Sequence, residues 1–240
     1  MRTIQGAQTR RIRTYVDGFD KVIGGGIPEG NIVLLSGRPG TMKSSVAFNM
    51  LYRNAINEGI GSVYISFEQA KQSLLRQMKS MGMNIEDEKK IRIIDLGNVR
   101  EELEQAETDE TIISVLREHL TNLVKEAQTA ILVLDSLDVL DISAGATSRR
   151  SQIFFLFEWL REMNLTAILI SESDPEEVME KGREEGYLSD GIINLSLSSE
   201  ETDAVRRRIR CVKMRNTEHD TSHYSLQFSD GRFVVTQSMS

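Results

Sequence analysis

The chain has 240 residues, of which 40% are hydrophobic and 27% charged, with a net charge of −7. Those values suit one large α/β domain with a sizeable core and argue against a general nucleic-acid binder. Cys211 is the only cysteine, which excludes an intrachain disulfide, and no apolar run approaches the 18 or so residues of a membrane-spanning helix. The first fifteen residues, MRTIQGAQTRRIRTY, are polar and basic without an apolar centre, so no signal peptide is expected and a reduced, cytoplasmic setting is.

Strand-like and helix-like segments alternate along the chain. NIVLLS (31–36) predicts a short buried strand. KSSVAFNMLYRNAINEG follows with Val46, Ala47, Met50, Leu51 and Ala55 at helical spacing, and Gly59 stands where a helix C-terminus favours a left-handed residue. SVYISF (62–67) predicts a second strand. Lys71–Ser80 predicts a helix with Leu74, Leu75 and Met78 on one face, and IRIIDL (91–96) a third strand. The acidic run EELEQAETDE (101–110) reads as a solvated loop and helix start. The stripe Ile112, Ile113, Leu116, Leu120, Leu123 and Val124 predicts a helix over 109–127. AILVLD (130–135) and TAILIS (166–171) are further buried strands, and SQIFFLFEWLREM (151–163) between them predicts a helix.

Near-continuous apolar strands alternating with helices specify a mostly parallel sheet covered on both faces. The last fifty residues differ. DGIINLSLS, RRRIRCVKMR, HYSLQFS and RFVVTQ predict consecutive strands, an antiparallel extension on one side of that sheet. With three prolines, no repeat and no low-complexity linker, residues 1–240 are expected to form a single domain.

GRPGTMKSS (37–45) almost fits the phosphate-binding pattern G-x-x-x-x-G-K-S/T, with Met42 in place of the second glycine. A buried strand ends at Ser36 and a helix opens near Lys43, which aims backbone N–H groups and a helix N-terminus at an anion. The expected nucleotide-binding set is therefore Gly37, Arg38, Pro39, Gly40, Thr41, Met42, Lys43, Ser44 and Ser45. Lys43 would meet the β- and γ-phosphates and Ser44 would ligate Mg2+. Asp135, ending the strand AILVLD, suits a Mg2+-coordinating carboxylate, although an ordinary strand ending in a helix-capping Asp reads the same way. Glu68 follows the second strand at its carboxyl end, where it could orient or deprotonate an attacking water; a solvated helix-start Glu is the plain alternative. The three features in this order support one another.

On these residues the chain resembles the single-domain KaiC-like ATPases of the RecA superfamily. TYVDGFDKVIGGGIPEGNIVLLSG is similar to that family's opening, SFEQ to its pair of glutamates after the second strand, LVLDSLD to its Mg2+-binding strand, and SDGIINL and RIRCVKMRNTEH to its closing strands. The resemblance implies a RecA-like three-layer P-loop NTPase fold, with ATP and Mg2+ as cofactors. It also implies slow ATP hydrolysis, and a homo-oligomeric, hexameric ring with active sites between subunits. Within it Lys43 and Glu68 take catalytic roles, and Lys213 and Arg215, in a Lys-x-Arg pair, reach the nucleotide of the next subunit. Read as a plain strand, Lys213 and Arg215 share one face and Val212 and Met214 the other, and the pair could equally be a charged edge that discourages aggregation. Two departures touch the site. Met42 replaces a glycine, with Gly40 left to relieve the turn and the Met42 side chain expected to point away from the phosphates. Gln69 leaves one carboxylate where the family often has two. Gly186 and Tyr187 stand where clock-type members carry a Ser-Thr phosphorylation pair, so that modification is not expected. Non-hydrolysing nucleotide sensing and DNA-repair ATPase activity are the competing functions.

Other residues carry weaker readings. Arg149 and Arg150, in the loop expected over SAGATSRRSQ, read as a solvated pair at a helix start or as pore-lining residues touching nucleic acid. Cys211, His219 and His223 are too few and too widely spaced for a usual Zn2+ site. IFFLFEW is apolar on more than one face, which fits a core helix or a subunit contact. Ser171 and Glu172 end a central strand near the expected γ-phosphate position.

Overall fold

The computed structural model describes residues 10–86, 89–97, 117, 120–122, 124, 128–141, 146–173, 184–199 and 205–237. Its strands are β1 (Arg11–Ile12), β2 (Val16–Asp17), β3 (Ile27–Pro28), β4 (Ile32–Ser36), β5 (Gly61–Ser66), β6 (Ile91–Asp95), β7 (Thr129–Asp135), β8 (Thr166–Ser171), β9 (Gly191–Ser199), β10 (Val205–Met214), β11 (Tyr224–Ser229) and β12 (Arg232–Gln237). The helices are α1 (Phe19–Val22), α2 (Lys43–Glu58), α3 (Lys71–Ser80), α4 (Ala146–Glu162) and α5 (Glu184–Leu188), with a 3-10 turn over Leu137–Asp141.

A ten-stranded sheet runs β2-β12-β11-β10-β9-β4-β8-β7-β5-β6. The strands from β9 to β6 are parallel, and β10, β11 and β12 extend that block as antiparallel hairpins. This is the RecA-like arrangement expected above. The apolar strands sit centrally because both their faces are covered: in β4, Val33 and Leu35 enter one core with α2 and α3, while Ile32 and Leu34 enter the other with α4. α2 ends on Gly59 in the left-handed conformation (φ 65°), as its sequence required.

Three features were not foreseen. β2 adds in parallel to β12 at the far edge, so the chain's opening segment closes the antiparallel side. A bulge between Cys211 and Lys213 breaks the alternation of β10, so Val212 and Met214 pack against opposite cores instead of sharing a face. Arg149 and Arg150 lie within α4 and not in a loop. Of the helix expected over 109–127, the described residues are helical, with Leu120 and Val124 buried, and the run 101–110 lies outside the described residues.

Candidate active site

The loop after β4 is built from left-handed residues. Gly37 (φ 148°) donates its N–H to Ser171 O at 3.1 Å, and a Cβ there would meet Leu195 O at 2.0 Å, so only glycine fits. Gly40 (φ 84°) faces open space, with Arg38 and Pro39 also exposed. Thr41 Oγ1 closes the loop on Arg38 O at 2.8 Å. Met42 itself is left-handed (φ 74°, ψ 25°) and opens α2. Gly40 therefore does not relieve the turn alone, as had been expected; a second left-handed residue is needed, and here it carries a side chain. That side chain is half-buried against the core beneath α2 and lines the cleft beside Lys43.

Lys43 is buried, and its Nζ donates to Gly37 O at 2.6 Å and Arg38 O at 3.2 Å. Burial lowers its pKa, against the attraction of Glu172, Asp135, Asp138 and Glu68. Those carboxylates come from three strand ends. Asp135 ends β7, only 8% exposed, and accepts a hydrogen bond from Tyr64 Oη at 2.5 Å. Burial raises its pKa, hydrogen bonds from Tyr64 and Ser44 oppose the rise, and the charge of Glu68 adds to it. Glu68, exposed beyond β5, accepts from Ser136 Oγ at 2.5 Å. Glu172 follows β8, where its backbone N–H donates to Asp138 Oδ2 at 2.8 Å; burial first and Glu68 second raise its pKa. Gln69 turns away along α3 to Ser73 Oγ and Gln77 Oε1, each at 3.1 Å.

Met42, Lys43, Glu68, Asp135, Ser136 and Glu172 line a cleft of about 370 Å³ that also takes in Ser44, Ser45, Ile170 and Arg207. Carboxyl groups pushed upward by burial and by one another mark a place that favours a cation. Ser44 and Asp135 offer the hard oxygen ligands that Mg2+ takes, and the exposed, glycine-built loop leaves room and N–H donors for phosphates. Among the described residues, no group of three or more His, Cys, Asp or Glu side chains is placed to hold an ion, so a metal here would complete its coordination with water or phosphate oxygens.

Arg207 is the residue that sequence reasoning missed. It stands on β10, and its Nε donates to Gly40 O at 3.2 Å. Only the hairpin that brings β10 back beside β9 places it there. Lys213 and Arg215 do not line this cleft. Arg210 lies opposite Asn194, level with Ser36, whereas Met214 lies opposite Gly191, three rungs or roughly 10 Å down the strand. Lys213 Nζ donates to the carbonyls of Gly186 (3.1 Å), Tyr187 (3.4 Å) and Ser189 (2.7 Å). Arg215 donates to Tyr187 O and Asp190 Oδ1, each at 3.0 Å.

One of the weaker readings changes. Arg149 is not solvated: its guanidinium makes a two-pronged ion pair, at 2.9 and 3.1 Å, with Glu185, which is wholly buried. The aromatic helix divides, with Phe157 and Trp159 in the core but Phe154 (46% exposed) and Phe155 (54%) outside, in a groove shared with Tyr187 (57%). Cys211 is buried in the sheet, where burial pushes its thiol up to about 12, and His219 Nδ1 bonds Thr217 O at 2.9 Å.

The model of the KaiC ATPase family matches residues 12–240. The chain belongs to that family. It is 29% identical over 226 residues to the circadian clock protein KaiC2 of Synechocystis, a match that covers 92% of this chain and 39% of that protein. A UPF0273 protein of Thermotoga maritima is 31% identical over 235 residues, covering 94% of this chain and 96% of that one. The chain thus spans well under half the length of the KaiC2 relative and almost all of the other. Among solved structures, a KaiC-like protein of Pyrococcus horikoshii superposes with a TM-score of 0.80 at 27% identity, covering 95% of this chain and all of that one. The cleft described above lies at the carboxyl ends of the parallel strands, where sheets of this kind collect ligands.

Proposed function

We propose that the chain, as one domain over residues 1–240, binds ATP with Mg2+ in this cleft and hydrolyses it slowly as a homo-oligomeric ring, a hexamer in its simplest form. The observation that carries the reading is the convergence of Lys43, Ser44, Asp135 and Glu68, from α2, β7 and β5, on a left-handed loop in a chain of the KaiC ATPase family. Residues 37–45 would cradle the phosphates, with the Lys43 amine leaving the carbonyls of Gly37 and Arg38 for the β- and γ-phosphates. Ser44 and Asp135 would hold Mg2+, which supplies charge neutralisation at the β- and γ-oxygens. Glu68, steadied by Ser136, would orient the attacking water and take its proton. Arg207 would add a cation from the same chain.

Lys213 and Arg215 are proposed to act on the nucleotide of the next subunit. Their place off the cleft, on the carbonyl of Tyr187, whose exposed ring shares a groove with Phe154 and Phe155, supports a contact surface there. Slow turnover follows if each site waits for a cation from its neighbour. The sensor reading draws on the left-handed Met42 and on Gln69. The DNA-repair reading loses its best residue, because Arg149 is held by Glu185.

Calorimetry of Mg2+-ATP with wild type and Lys43→Ala tests the binding site. The variant should bind at least tenfold more weakly, about 1.4 kcal/mol. Equal affinities would rule out the loop as the phosphate site.

A further inference from the structure

The chemistry proposed above makes no use of Tyr64, yet its hydroxyl lies on the carboxylate that chemistry depends on. Tyr64 is wholly buried in β5, and its ring packs against Phe48 of α2 with centroids 5.6 Å apart. Register fixes where it points. Tyr64 pairs with Val133, and Ser66 with Asp135. Side chains alternate along a strand, so Tyr64, Val133 and Asp135 project to one face of the sheet, the face under α2. The phenol therefore reaches one step toward the carboxyl ends of the strands and donates to Asp135 Oδ2. Phenylalanine would fill the same space without placing a polar hydrogen there, so the hydroxyl is not explained by packing. A buried phenol needs a partner, and this one donates to a carboxylate.

We propose that Tyr64 is a positioning residue for the metal site. By holding Oδ2 it fixes the rotation of the Asp135 carboxylate and so aims that carboxylate at the cation it would share with Ser44. The inference rests on Asp135 being a Mg2+ ligand. Groups one hydrogen bond behind a ligand set its aim, and their loss commonly costs 10–100-fold in metal affinity.

The test uses Tyr64→Phe and Asp135→Ala beside wild type. Each chain is saturated with a non-hydrolysable ATP analogue, and Mn2+ binding is followed by the electron paramagnetic resonance signal of the free ion. Affinity for the analogue is measured separately in EDTA, where no metal bears on it. Tyr64→Phe should bind Mn2+ roughly 10–100-fold more weakly than wild type, with unchanged analogue affinity in EDTA. Wild-type Mn2+ affinity in Tyr64→Phe, with Asp135→Ala weakened, would overturn the positioning role alone. Wild-type Mn2+ affinity in Asp135→Ala would overturn the ligand assignment and the proposal with it. Loss of analogue affinity in EDTA by Tyr64→Phe would show that the tyrosine supports the whole cradle, and would also overturn the proposal.

Discussion

Lys43 and Lys213 are held in similar ways but in different charge surroundings. Lys43 rests on the carbonyls of Gly37 and Arg38, and Lys213 on those of Gly186, Tyr187 and Ser189. Burial lowers the pKa of both amines. Around Lys43 stand Glu172, Asp135, Asp138 and Glu68, an excess of negative charge even with Arg207 beside them. Beside Lys213 the next charges are Arg215, which lowers its pKa further, and Asp190, which opposes it. Among the described residues, carboxylates outnumber cations around Lys43, whereas Lys213 and Arg215 outnumber Asp190 beside them. Surfaces of opposite charge on different sides of one chain would suit head-to-tail association, which gives a ring where the rotation between copies closes.

The largest effect expected from this asymmetry is on rate. Arg215→Ala should leave ATP affinity unchanged and slow hydrolysis by on the order of 10³, the lower range for an arginine supplied in trans. Steady-state turnover on assembled protein checks it, and a variant that turns over at the wild-type rate would make Arg215 merely a clamp on Tyr187 and Asp190.

A smaller effect concerns the acidic end. The folded-state pKa of Asp135 is raised, chiefly by burial, so its ionised form is the costly one. At neutral pH the fold bears that cost. The cost disappears as pH falls through the raised value toward the ordinary carboxylate value of about 3.9. Without nucleotide or metal, Asp135→Asn should therefore melt higher than wild type at neutral pH, with the gap narrowing in acid. Melting curves across that range test the sign, and a gap that widens on acidification would contradict it.

The smallest effect expected is at Met42. A left-handed non-glycine residue costs roughly 1–2 kcal/mol. Met42→Gly should thus be more stable than Met42→Ala by about 1 kcal/mol, the reverse of the ordinary helical preference. Denaturant titration of the two variants decides whether φ 74° is strained.

The parallel block and both early helices were legible because buried strands and amphipathic helices write their period directly into the sequence. β4, α2, β5 and α3 fall within a residue or two of where the apolar spacing put them. The loop was legible through Gly37 and Lys43, and Met42 marked a glycine position without revealing that it must be left-handed. What stayed hidden depends on partners distant in sequence. Arg207 reaches Gly40 across 167 residues, and Glu185 reaches Arg149 across 36. β1, β2 and β3 are two residues each, too short to show a period. The bulge in β10 shifts alternation in a way no local residue announces. Tyr64 looked like an ordinary strand aromatic until register set it against Asp135.

The central claim is that one site is divided between two copies of the chain, and a mixing experiment tests it most directly. Glu68→Gln lacks the base and Arg215→Ala lacks the trans cation, so each alone should be nearly inactive. In mixed assemblies some interfaces pair an intact Glu68 on one copy with an intact Arg215 on the next. With subunit exchange verified by an independent label, the mixture should recover part of the wild-type hydrolysis rate. A mixture as inactive as its parents would contradict the account and place both residues in the service of a single chain's nucleotide.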